Sequence, residues 1–206
     1  MLDLVDGASA AQIDRVGKIF LADKVRRSVT FDFLQDKGPN RHLWVTCHEG
    51  LWFEVVTWPG CLTFHGTVGG YVFRRFQDDI LSAFQGQMEP DRWAGFLANG
   101  RDSVLVYAGA DRATGYIRDA VKAAEEQYPD LAEQVEATFF SPDASADLKT
   151  ADGILASAAA FEHDAFRFDT SDWDLYQYDA RYLYACHAVA WAVEEWNARR
   201  PVTAPV

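Results

Sequence analysis

Cys47, His48, Cys61 and His65 stand near one another in the sequence, and thiolate and imidazole are the side chains that hold structural zinc. Spacing argues against a shared ion. On a strand, Cys61 and His65 share a face but stand roughly 13 Å apart at about 3.3 Å per residue. Neighbours such as Cys47 and His48 point to opposite faces. No C-x-x-C or H-x-x-x-H supplies a compact pair. No metal and no cofactor is expected.

"HGTVGG" (65–70) is rich in glycine but lacks a GK[ST] ending and leads into a strand. Phosphate loops aim the amides of a helix start at the anion, so this one reads as a hairpin connection. Cys186 and His187 are sequence neighbours on an apolar helix and splay by about 100°, which prevents a thiolate–imidazole pair. No G-x-S-x-G is present. No catalytic residue is assigned.

Carboxylates are the remaining chemistry. From Asp143 to Asp179 nine acids face only Lys149 and Arg167, and "FRFDTSDWDLYQYD" interleaves them with aromatic rings. Two or three such acids could hold Mg²⁺ in a nuclease, but that site also wants a nearby Lys and a basic surface. A solvated loop before a helix N-terminus is the plain reading. A protein-facing acidic surface is the functional one, and its residues are Asp169, Asp172, Trp173, Asp174 and Tyr176.

Composition narrows the field. The 206 residues carry a net charge of −12, which argues against a general nucleic-acid binder. Nearly half are hydrophobic and seven are Trp, so a sizeable core is available and wholesale disorder is excluded. No apolar run approaches the roughly 18 residues that span a bilayer. The acidic start "MLDLVDGASAAQ" lacks the basic segment of a signal peptide. Three widely spaced cysteines suggest reduced thiols in a cytoplasm.

Periodicity sets the secondary structure around these residues. Ser9 and Gln12 have capping-box spacing, and Ile13, Val16, Ile19 and Phe20 recur at helical intervals, predicting a helix near 9–24. "VRRSVTFDF" alternates, with Val29, Phe31 and Phe33 on one side of a short strand or extended edge. "DKGPN" is a turn or loop. "HLWVTCH" and "LWFEVVTW" flank "EG", read as a two-residue hairpin turn. Pro59-Gly60 ends the second strand, because Pro presets φ and Gly supplies the left-handed corner. "CLTFH" and "YVFRRF" complete a four-stranded antiparallel meander over about 42–75. "FQDDILSAF", "PDRWAGFLANG", "DRATGYIRDAVKAAEEQYPD", "DLAEQVEATFF" and "GILASAAAFEHDAF" read as helices, and "SPDASADLKTADG" as loop. "YLYACHAVAWAVEEW" is apolar over so much of its circumference that it must pack centrally. The predicted fold is a single α+β domain over 1–206, sheet-rich at 25–76 and helical at 77–200, with one N-terminal helix and several C-terminal ones.

"WFEVVTWPGCLTFHGTVGGYVFRR" resembles the central segment of a widespread set of phage and prophage proteins of unknown function. The matching residues are Val56, Thr57, Trp58, Pro59, Gly60, Leu62, Gly66, Tyr71, Phe73 and Arg74. The acidic-aromatic stretch before a helix bearing Cys and Trp is similar too, so the likeness covers roughly 40–100 and 165–197. Thr67 replaces the acid expected in the turn, and Cys61 stands where His is often found. The resemblance implies a protein made in the cytoplasm of an infected bacterium, outside the virion, and assigns no catalytic residue. The resulting expectation is an accessory protein that acts by binding the basic surface of a host or phage macromolecule, as an inhibitor of a host or defence system would, and not by catalysis. A homo-oligomer is compatible with it. The alternative is a metal-dependent enzyme acting on nucleotides or nucleic acid.

Overall fold

In the computed structural model, the described residues are 10–26, 29–47 and 50–199. They fall into two compact units, one drawn from 10–105 with 178–199 and the other from 106–177. The fold is α+β, with an antiparallel sheet and helices.

The first unit is built on a meander of five strands: β1 (Val29–Lys37), β2 (Asn40–Cys47), β3 (Trp52–Trp58), β4 (Cys61–Gly66) and β5 (Gly69–Arg74). The fifth strand corrects the four-stranded expectation. β1 joins at the edge because Gly38, with φ 59°, and Pro39 turn the chain within two residues, so Lys37 pairs with Asn40. The Thr57 hydroxyl donates to the Pro39 carbonyl at 2.7 Å and ties that turn to β3. Val29, Phe31 and Phe33 alternate as expected, and a register shift between Phe33 and Gln35 leaves Leu34 exposed. Pro59-Gly60 forms the β3–β4 turn, Gly60 taking φ 72°. The β2–β3 connection is longer than "EG". Thr46 pairs with Trp52, and the Cys47 amide donates to the Leu51 carbonyl at 2.8 Å.

Strand alternation sends Leu43, Val45, Phe53, Val55, Leu62, Phe64 and Phe73 to one buried face. The long C-terminal helix, α6 (Ala180–Arg199), packs on it. Trp191 meets Phe31 edge-on at 4.8 Å, Trp196 meets Phe33 at 5.5 Å, and Tyr182 meets Tyr71 at 5.6 Å. Each fully buried ring contributes about 2–3 kcal/mol by removal of apolar surface from water. The first helix, α1 (Ala10–Arg26), lies against α6 with Val16 and Phe20 buried, whereas Ile19 is exposed at the margin of the stripe. Gly17 permits the close approach, since a Cβ there would stand 3.0 Å from the His187 ring. Ser9 lies outside the described residues, and buried Gln12 donates to the Tyr178 carbonyl at 2.7 Å.

"FQDDILSAF" is a 3₁₀ turn at Ile80–Phe84, its first turn capped by Asp79, whose Oδ1 accepts from the Leu81 amide at 3.2 Å. Asp79 also receives both terminal nitrogens of buried Arg41, at 2.7 and 2.8 Å, which fastens β2 to this turn. The helix predicted up to Gly100 is only α2 (Pro90–Ala94), because Leu97 bridges to Phe73 and the residues on either side of it form turns.

The second unit is mainly helical: α3 (Ala110–Ala124), α4 (Leu131–Val135) running into a π-turn at Glu136–Phe140, and α5 (Ala151–Ala160). Thr150 caps α5, its hydroxyl accepting from the Gly153 amide at 3.0 Å. Their apolar faces enclose a core around Ile117, Leu131, Phe139 and Ile154. Two short strands without a sequence signal, β6 (Leu105–Tyr107) and β7 (Tyr176–Tyr178), pair with each other. No helix among the described residues is long and apolar enough to cross a membrane.

Candidate interaction site

The acidic-aromatic segment is organised by two residues of α3. Arg112 and Tyr116 are four apart and so share a helical face. Arg112 Nη1 donates to the Asp174 carboxylate at 3.2 Å, to the Asp174 carbonyl at 3.3 Å and to the Tyr176 carbonyl at 2.9 Å. The Tyr116 hydroxyl accepts from the Asp174 amide at 3.2 Å, and its ring stacks on Trp173 at 5.7 Å and 11°. Phe168 meets Trp173 from another direction at 5.8 Å. One helical face thus fixes the segment.

The five residues expected to form the site divide by exposure. Asp169, Asp172 and Tyr176 are exposed, whereas Trp173 and Asp174 are half-buried. Hydrogen bonds from the Ser171 side chain and amide (3.0 Å to the amide) hold the Asp169 carboxyl below its usual range, so it is an anion at neutral pH. Asp172 makes no hydrogen bond or ion pair among the described residues. Asp174 is engaged by Arg112 and by the Tyr176 amide, and Trp173 belongs to the packing of the helical core. The outward chemistry is therefore the free Asp172 carboxylate, the Asp169 carboxylate held by Ser171, and the Tyr176 phenol.

That turn sits in a strongly acidic unit. Residues 106–177 contain 15 of the chain's 31 carboxylates and only five of its 19 Lys and Arg, so they account for most of the −12. Charge concentrated on one unit creates a directional field that steers cationic surfaces towards it.

The described members of the zinc constellation do not come together. Cys61 is buried beside Arg74, His65 is exposed, and His48 lies outside the described residues. Among the described residues no three His, Cys, Asp or Glu side chains gather as a metal site. A cluster missed by sequence reasoning occupies the outward sheet face. Glu54 takes His42 Nε2 at 2.8 Å and His65 Nδ1 at 3.3 Å, while Trp44 stacks on Trp52 at 4.9 Å. Strand alternation puts Trp44, Trp52, Glu54 and His65 on one face, and the cross-strand register could have revealed it.

Cys186 is wholly buried, and burial pushes its thiol pKa well up, leaving it protonated. His187 points elsewhere, 3.4 Å from the Ile13 carbonyl and stacked on Phe20. The glycine-rich connection is a hairpin turn, in which the Thr67 hydroxyl accepts from the Trp52 amide at 3.1 Å. Comparison with family models, curated proteins and solved structures finds no match.

Proposed function

We propose that this protein is a phage-encoded accessory protein that binds the basic surface of a host or phage macromolecule, and that it acts by occupying that surface. The observation that carries this reading is the preorganised acidic turn, Asp169 to Tyr176, fixed by Arg112 and Tyr116 within a unit that concentrates the chain's negative charge. Preorganisation lowers the entropic cost of association, and the field accelerates encounter. Surfaces that normally hold nucleic acid have the complementary charge. The phage origin rests on the resemblance of the "VTWPG" segment, as does a cytoplasmic site of action in the infected host.

The test is affinity capture from infected cells with the wild-type chain and with Asp169→Asn/Asp172→Asn, followed by kinetics on the captured protein. The reading expects a basic partner, association slowed about tenfold in the double variant, and loss of binding as salt rises past about 0.15 M. Duplex DNA should compete if the partner is a nucleic-acid binder. Unchanged association at every salt concentration would refute the assignment of this turn. Divalent-metal-dependent hydrolysis of a nucleotide, abolished by the same substitutions, would favour the enzymatic alternative.

A further inference from the structure

The sheet unit holds a feature of opposite sign. Beside the Pro59-Gly60 turn lies a groove of about 560 Å³ lined by Pro59, Gly60, Arg74, Arg75, Phe76 and Asp78. Its volume falls within the usual range for small-molecule sites, about 300–1,000 Å³. Arg41, Arg92 and Arg101 of this unit are each matched to a carboxylate, at 2.7, 2.6 and 3.2 Å. Arg74 and Arg75 form no ion pair among the described residues, so one groove of an acidic chain carries two guanidinium groups beside a single carboxylate, Asp78.

Their backbone is fixed. The Arg74 amide donates to the Phe96 carbonyl at 2.6 Å, and the Arg75 amide donates to the Gly60 carbonyl at 2.9 Å. The Arg75 guanidinium lies over the Phe96 ring, 5.0 Å from its centroid, which limits its rotamers without neutralising it. Phe76 projects wholly into solvent, and Trp58, next to the turn, is 42% exposed. The Arg74 side chain is hydrogen-bonded to Cys61, and guanidinium forks with no carboxylate partner suit the planar, multidentate geometry of phosphate. An exposed ring beside them supplies a stacking surface for a base. Asp78 adds an acceptor of the kind a ribose hydroxyl uses.

We propose that this groove binds a mononucleotide, with Arg74 and Arg75 on the phosphate, Phe76 against the base and Asp78 on the sugar. The site is separate from the acidic turn and does not depend on it.

Calorimetric titration of the full chain with AMP, adenosine and inorganic phosphate tests it. One AMP should bind per chain, at least about tenfold more tightly than adenosine or phosphate. Arg74→Gln/Arg75→Gln should weaken AMP about tenfold or more. Phe76→Ser removes a side chain that packs on nothing, so it leaves the fold intact, and it should weaken AMP roughly fivefold or more while leaving phosphate unchanged. No AMP binding at millimolar concentration would overturn the proposal. Phosphate binding as tightly as AMP would also overturn it, as would AMP affinity unaltered in both variants.

Discussion

Gly60→Ala is the sharpest probe of the turn on which the sheet and the groove both rest. Gly60 takes φ 72°, a conformation that costs an L-residue roughly 1–2 kcal/mol. Surroundings add to this. A Cβ at Gly60 would stand 2.9 Å from the Arg75 carbonyl oxygen, and that oxygen is held by the Gln77 amide at 2.8 Å while the Arg75 amide holds the Gly60 carbonyl. The contact cannot relax without loosening those bonds, and overpacking of this kind costs about 1–3 kcal/mol. Together the loss is about 2–5 kcal/mol, or a fall in Tm on the order of 10 °C. Gly86→Ala is the control. Gly86 has φ 84° but nothing within 4 Å of the added methyl, so only the conformational part applies, about 1–2 kcal/mol. Urea denaturation of both variants measures the difference. Gly60→Ala within about 0.5 kcal/mol of Gly86→Ala would refute the steric argument.

Arg112→Ala removes three hydrogen bonds to 174–176 and should speed chymotrypsin cleavage after Trp173 and Tyr176, by freeing the backbone there, while α3 persists by circular dichroism. Equal cleavage rates would mean that stacking on Tyr116 suffices. His187 is pushed below its ordinary pKa, chiefly by burial, with the Ile13 carbonyl partly opposing. Because the unfolded chain then binds a proton more readily, its contribution is full above about pH 6.5 and is lost as pH falls through the lower folded value. His187→Gln should flatten the loss of stability on acidification below about pH 6.5, and parallel curves for the two proteins would contradict that assignment.

Local sequence determined much of the sheet. Alternation in "HLWV" and "WFEVVTW", with Pro59-Gly60 between strands, specifies side-chain direction and turn geometry over a few residues, and these read directly. The central burial of α6 was legible because its apolar positions exceed one stripe. β1 was ambiguous, since its alternation fits a free edge or a paired strand equally well until the Gly38-Pro39 turn supplies a partner. The end of α2 depended on a bridge from Leu97 to Phe73, a long-range pairing that overrides the helical pattern. The candidate site divides the same way. Its acids and rings were visible as composition, but that Asp174 is tied down and Trp173 stacked depends on Arg112 and Tyr116, more than fifty residues away in the sequence. The groove at Arg74 and Arg75 was not visible at all. Charge is a property of residues, whereas being unpaired is a property of neighbours, and only the tertiary structure supplies the neighbours.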